Sequence, residues 1–362
     1  MDLGRRRTRP RPSGRGDEGG GRDPPSARES LDDVGSGDRR GRRRIDDLRG
    51  THVVNGVISI ASHVPAGELS ASAVAEGLSV PTEFVEDKLG TARLPRIATG
   101  VETSDLAVSA VRALEGDGRY DPSEIRVLVV VTQNPDGRGL PHTAAIVASK
   151  LGLGPDVAAF DVSLGCSGFV YGLQIVEGLL AKTGGTGLLV TADPYSKIVD
   201  PDDRDTVLLF GDASAATLIG PDPKYRIGAV RLGTDGRGAP HLCNRDGVLH
   251  MAGRQVFNFA ATRVPREAKA LLESQGLVIG DIDLALLHQG SRYIVETLAD
   301  RIGLDRAITP VDVGRTGNAV SSSIPLLLEP FLASPSADLP RRVLMAGFGV
   351  GFSWGVGLLE RA

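Results

Sequence analysis

From Thr51 onward the chain alternates between two apolar patterns. Short runs rich in Val, Leu and Ile, at Ile125 to Thr132, Val157 to Val162, Gly187 to Ala192, Asp283 to Leu287 and Arg342 to Ala346, are apolar on both faces. Such runs predict strands buried between helical layers. Longer segments with apolar residues at 3.6-type spacing lie between them and predict helices: Ser104 to Leu114, Pro141 to Leu151, Cys166 to Leu180, Val256 to Leu272, Arg292 to Ile302 and Asn318 to Leu332. Strand and helix in alternation predict an α/β architecture. Two adjacent strands, Ala213 to Ile219 and Ile227 to Gly233, would mark the midpoint of two similar halves, 51–222 and 223–362, although no internal sequence repeat is visible.

Residues 1–50 break the pattern. They hold 14 arginines against 10 acidic residues, with abundant Gly and Pro and no sustained apolar periodicity. Such a segment cannot bury enough apolar surface to offset its ordering entropy and reads as a disordered tail. It lacks the apolar core of a secretory signal, so a cytoplasmic protein is expected. The full chain of 362 residues has 41% hydrophobic and 24% charged residues and a net charge of -4. No apolar run is long enough to span a membrane, and no basic footprint for nucleic acid is visible. Two cysteines, Cys166 and Cys243, are too few for a disulfide framework. No metal set and no cofactor is expected.

The sharpest local feature is Asp161-Val-Ser-Leu-Gly-Cys166-Ser-Gly-Phe-Val-Tyr-Gly-Leu. A buried strand ends, a turn of small residues follows, and Cys166 would open a helix with Phe169, Val170, Leu173 and Val176 on one face. Unpaired backbone N–H groups and the positive end of the helix dipole would lower its pKa. The plainer reading is a buried cysteine that only packs. His288, in Leu-Leu-His-Gln-Gly-Ser, and Asn318, in Gly-Arg-Thr-Gly-Asn-Ala-Val-Ser, both sit where a helix would start. Each alone reads as a structural or capping residue. Together the three make the Cys/His/Asn set that acyl chemistry uses. A closing run, Ala346-Gly-Phe-Gly-Val-Gly-Phe-Ser-Trp-Gly355, has glycines that let a strand–turn–strand backbone approach a ligand closely.

These four segments, in this order, resemble β-ketoacyl-acyl-carrier-protein synthase III of the thiolase superfamily, over about Val54 to Leu359. Asp200-Pro-Asp-Asp-Arg204, Phe210-Gly-Asp-Ala-Ser-Ala and Met251-Ala-Gly-Arg-Gln-Val-Phe257 support the likeness. The resemblance implies a five-layered αβαβα fold built from two pseudo-related halves, working as a homodimer on acyl-CoA or acyl-carrier-protein thioesters, with an acyl carrier protein as partner. It implies that Cys166 carries the acyl group and that His288 and Asn318 donate to the carbonyl oxygen of a malonyl thioester. The tetrahedral oxyanion would be held by N–H groups of Cys166 and of the Gly349, Val350, Gly351 turn.

Departures from the family pattern fall around the substrate-binding positions. His-Gln-Ala-Asn is His288-Gln-Gly-Ser291 here, and an Arg that commonly follows is Tyr293, with Arg292 beside it. The Trp that stacks on the CoA adenine corresponds to Phe84, the nearby Arg to Lys88, and an Asn beside the pantetheine arm to Arg254. With Arg204, Phe257 and Ser291 these would contact substrate, and Leu140 would enter the partner's acyl pocket. Glu102 matches the region where other branches of the superfamily place a catalytic glutamate. It also reads as an ordinary acidic residue at a helix start. Two activities fit: decarboxylative condensation in fatty-acid or polyketide-type metabolism, or transfer of the acyl group to an alcohol or amine with His288 as base. Asn318 favours the first, because an enolate needs two donors and an alcohol needs a base.

Overall fold

The computed structural model describes residues 54–362, so the Arg-rich segment expected to be disordered lies outside the described residues. The first half of the described chain runs β1 (Gly56–His63), β2 (Gly67–Ser70), α1 (Ala71–Gly77), β3 (Arg93–Arg96), α2 (Thr103–Ala113), β4 (Ile125–Val131), α3 (Thr143–Lys150), β5 (Ala158–Val162), α4 (Gly168–Thr183), β6 (Thr186–Ala192) and β7 (Ser214–Gly220). The second runs β8 (Tyr225–Thr234), β9 (Leu242–Arg245), β10 (Val248–Met251), α5 (Gly253–Ser274), β11 (Leu284–Leu287), α6 (Arg292–Ile302), α7 (Val313–Thr316), α8 (Ser323–Leu332), β12 (Arg342–Gly349) and β13 (Ser353–Arg361).

The strand order is β5-β4-β6-β7-β1 in the first half and β8-β13-β12-β11 in the second. Only two residue pairs, Gly56 with Arg226 and Val57 with Tyr225, join β1 to β8. Read from β1 and from β8, the two orders superpose: β1-β7-β6-β4 corresponds to β8-β13-β12-β11, and β5 has no counterpart. The helices follow the same correspondence, α2 with α5, α3 with α6 and α4 with α8. The duplication that leaves no repeat in the sequence is therefore visible in the connectivity.

Three apolar clusters set the layers. Leu106, Val111 and Val147 of α2 and α3 pack on Leu128, Val130 and Leu188 of the first half-sheet. Val264, Leu271 and Leu298 of α5 and α6 pack on Leu287, Leu344 and Val356 of the second. Between them α4 and α8 fill the middle, with Phe169, Leu173 and Leu328 against Val129, Leu189, Leu286 and Met345. The result is five layers, αβαβα. Helix α4 lies tightly on its strands because Gly172 has no side chain: a Cβ there would sit 2.4 Å from Leu189 Cδ1. Burying each large apolar side chain of α4 contributes about 1.5–3 kcal/mol, so this helix is the mechanical anchor for the turn that precedes it. Among the described residues, no helix is long and apolar enough to cross a membrane.

Candidate active site

The end of β5, the end of β11 and the segment before α8 meet at one cavity of about 340 Å³, lined by Cys166, His288 and Asn318 together. Elements far apart in sequence thus bring the three polar candidates to one place.

Cys166 lies just ahead of α4, which begins at Gly168 with Ser167 as its N-cap. The turn is pinned from two sides. Ser167 Oγ shares a 2.7 Å hydrogen bond with Ser353 Oγ at the start of β13. The end of β12 presses against the cysteine: a Cβ on Gly347 would lie 2.5 Å from the Cys166 carbonyl oxygen, and one on Gly349 3.0 Å from Sγ. Only glycine allows that approach. Among the described residues neither the Cys166 N–H nor the Val350 N–H donates to a backbone carbonyl, and the Cys166 N–H interacts with its own Sγ.

Helix position alone predicts a lowered thiol pKa, and the structure reverses this. Cys166 is only 7% exposed. Burial, and then the neighbouring Asp193 carboxylate, push the thiol up, while its own N–H acts weakly the other way. Desolvation outweighs the helix start because removing a thiolate from water costs more than a few partial charges return.

His288 follows β11, with its backbone N–H donating to Ala346 O at 2.9 Å. Its ring stands edge-on to Phe348, centroids 5.3 Å apart. Burial lowers its pKa from 6.5 to about 3, against a smaller opposing effect of the Val320 backbone. Burial therefore favours the neutral ring, which has one N–H to donate. A ring-¹³C histidine spectrum should accordingly show the His288 resonance, identified by its loss in His288→Ala, fixed in the neutral position from pH 8 to pH 5. Titration near 6.5 would contradict the burial. Unfolded, the same residue binds a proton near 6.5, so its contribution to stability is present above that pH and is lost as pH falls below it.

Asn318 is held by three hydrogen bonds. Its N–H donates to Leu209 O at 2.8 Å, its carbonyl accepts from Gly211 N–H at 3.1 Å, and Oδ1 accepts from Val320 N–H at 2.9 Å. With Oδ1 taken, the amide has its –NH2 left to offer. Asn318 does not start the helix, contrary to the periodicity: a 3₁₀ turn, Val320–Ser322, intervenes before α8. Val320 has φ +50°, a strained value for a β-branched residue.

Of the predicted contact residues, Phe84, Arg204, Arg254 and Ser291 line the cavity, as does Gly349 of the closing run. Ser291 also caps α6, its Oγ accepting from Ile294 N–H. Lys88, Leu140 and Phe257 do not line it, nor do Val350 and Gly351. Lys88 sits over the Tyr293 ring, 4.7 Å from its centroid, and Phe257 stacks on the same ring at 5.4 Å, so Tyr293 takes up both side chains. Leu140 is 87% exposed. Glu102 stands outside the cavity and pairs with Lys197, so the capping interpretation is the one its surroundings fit.

Sequence reading passed over a buried polar group beside the nucleophile. Asp193, at the end of β6, is fully buried. Burial raises its carboxyl to about 6, opposed by hydrogen bonds from Gln133, Ser321 and Thr132. Tyr195 lines the cavity, and its Oη donates to Gln133 Oε1 at 2.8 Å. An Asp-Pro pair after an apolar strand was the available signal, but it reads as a turn.

Comparison with known proteins agrees with this geometry. Residues 160–236 match the family described as 3-oxoacyl-[acyl-carrier-protein (ACP)] synthase III, and residues 272–361 its C-terminal domain. The chain is 33% identical to β-ketoacyl-[acyl-carrier-protein] synthase III 3 of Streptomyces coelicolor, over 83% of this chain and 95% of that protein. It superposes on the crystal structure of a 3-oxoacyl-(acyl-carrier-protein) synthase III with a TM-score of 0.80 at 33% identity, covering 85% of this chain and 99% of the other. The priming β-ketosynthase of the R1128 polyketide pathway aligns with a TM-score of 0.77 at 29% identity, covering 86% and 97%.

Proposed function

Because this chain belongs to the 3-oxoacyl-[acyl-carrier-protein] synthase III family, we propose that Cys166, His288 and Asn318 are the residues that carry its acyl transfer and condensation. In the first half-reaction the Cys166 sulfur attacks the carbonyl of an acyl-CoA or acyl-carrier-protein thioester. The departing thiol takes up the proton that Cys166 gives, so the exchange is neutral overall. The Cys166 and Val350 N–H groups, which donate to no backbone carbonyl among the described residues, would hold the intermediate oxyanion. In the second, a malonyl thioester loses CO₂, and His288 and the Asn318 amide donate to the enolate oxygen. The enolate carbon attacks the acyl carbon, and Cys166 leaves as thiolate and is reprotonated.

The observation that carries this reading over transfer to an alcohol or amine is the pairing of two neutral donors at one cavity. Oδ1 of Asn318 already accepts from Val320 N–H, which orients the amide and leaves its –NH2 as a donor without a partner among the bonds that hold it. Burial lowers the basicity of His288, which suits a neutral hydrogen-bond donor better than a base for an alcohol. The test is stoichiometric: acylated enzyme with malonyl-carrier protein or malonyl-CoA should release one CO₂ per 3-oxoacyl thioester formed. An acyl-enzyme discharged only by alcohols or amines, with no CO₂, would overturn it.

A homodimer is part of the proposal. β5 is an edge strand of the sheet, and the exposed Leu140 projects from the loop after β4. A second copy of the chain would cover both and would carry Leu140 into the neighbouring acyl cavity. Leu leaves more room there than an aromatic ring, and each accommodated CH₂ contributes about 0.8 kcal/mol. Leu140→Phe should therefore shift preference toward acetyl thioesters by several-fold, measured as kcat/KM across chain length. An unchanged profile would remove Leu140 from the pocket.

A further inference from the structure

The strained Val320 follows Asn318 by two residues, and its N–H is what holds the Asn318 amide in place. A β-branched residue at φ +50° persists only where its surroundings over-determine it. Two serines immediately after it do so. Ser321 Oγ donates to Asp193 Oδ2 at 2.7 Å. Ser322 Oγ bonds to the Thr191 and Ala213 carbonyls, each at 3.2 Å, and to Thr191 Oγ1 at 2.8 Å. Both serines are thus fastened to β6, the strand that ends at Asp193. The other carboxylate oxygen, Asp193 Oδ1, accepts the Gln133 N–H at 2.6 Å and Thr132 Oγ1 at 3.4 Å, from the segment that follows β4.

We propose that Asp193 is a positioning residue for condensation, acting through Ser321 and the strained Val320 to aim the Asn318 amide at the enolate oxygen. No atom of Asp193 reaches the reacting groups in this scheme. Its carboxylate accepts from Ser321 on one side and from Gln133 and Thr132 on the other. Those acceptor bonds fix the Asn318 turn to the ends of two central strands. With the Ser321 Oγ bond gone, Ser322 still ties the turn to β6, but Val320 is held less tightly and its N–H would leave Asn318 Oδ1 for part of the time. The amide would then be free to rotate, and one of the two enolate donors would be lost for part of the time. The ionisable groups facing Asp193 are Cys166 and Tyr195, both on the cavity side. A variant that neutralises Asp193 removes a charge that opposes Cys166 ionisation, so it is not expected to slow acylation.

This inference rests on the condensation reading, and the experiment separates the two. Two rates and one control are measured on the full chain: acylation of Cys166 by a labelled short acyl-CoA, release of CO₂ from malonyl-CoA, and thermal unfolding as the control. A hydrogen bond to a charged group is typically worth about ten-fold or more in an equilibrium. Ser321→Ala and Asp193→Asn should each lower CO₂ release by about that factor, while acylation by Ser321→Ala stays within about two-fold and by Asp193→Asn is not reduced. Adding Val320→Gly to Ser321→Ala should restore most of the loss, because glycine adopts φ +50° without a clamp. Equal losses in both half-reactions, unchanged CO₂ release, or failure of glycine to rescue would each overturn the positioning role. Wild-type enzyme that releases no CO₂ would instead overturn the condensation reading beneath it.

Discussion

Cys166→Ala is expected to leave no acyl-enzyme at all. Incubated with a short acyl thioester, the wild-type chain should gain the mass of one acyl group, and the alanine variant none. The prediction rests on placement and not on abundance of sulfur. Cys166 faces the cavity with its Sγ close to Gly349, whereas Cys243 is half-buried on β9 with its sulfur against Pro240 O. Cys243→Ser should therefore acylate normally. Because burial and Asp193 raise the Cys166 thiol, the wild-type rate should keep rising with pH through the alkaline range instead of levelling below pH 8. Label on Cys243, or label surviving in Cys166→Ala, would place the nucleophile elsewhere.

One helix was legible to the residue, while the others were placed within one to three residues at most ends. α6 runs Arg292–Ile302 as its periodicity predicts, because Ser291 caps its start and Gly303, at φ +94°, ends it. The helix predicted from Asn318 to Leu332 was too long at its beginning. Its apolar spacing passes without a break through Val320, whose left-handed backbone is imposed by bonds from Ser321 and Ser322 to a strand more than a hundred residues earlier. Periodicity carries no trace of such a constraint. The short pairs β2–β3 and β9–β10 went unseen because segments such as Gly67–Ser70, exposed throughout, offer neither an apolar run nor apolar alternation.

The candidate site divides along the same line. Cys166, His288 and Asn318 could be picked out because reactive residue types stood at the ends of apolar runs. The geometry around them could not be: Asp193 becomes a neighbour of Cys166 only when β4, β5 and β6 lie side by side. The expected fall in thiol pKa followed the helix start and left out desolvation, which dominates once the cavity closes around the sulfur. Lys88 and Phe257 were assigned to substrate from their position in the pattern, yet the Tyr293 ring between them occupies both.

Asn318→Ala should separate the two half-reactions. On the proposed mechanism acylation draws on the thiol and on the N–H groups of Cys166 and Val350, to none of which Asn318 is hydrogen-bonded. Decarboxylation places a full negative charge on a thioester oxygen inside a mainly apolar cavity, where a preorganised donor is worth more than in bulk water. Losing one such donor typically costs about 10²–10³ in rate. CO₂ release from malonyl-CoA should fall by that factor in Asn318→Ala, with Cys166 acylation within a few-fold of wild type. Asn318→Asp tests orientation as well as presence: its near-isosteric side chain can still accept from Val320 N–H, but offers the enolate a carboxylate oxygen where –NH2 stood. If the amide acts as donor, the aspartate variant should be at least as impaired as alanine in CO₂ release and still form the acyl-enzyme. An aspartate variant that decarboxylates faster than the alanine variant would mean that the Asn318 side chain serves to hold the turn, and that His288 alone faces the enolate.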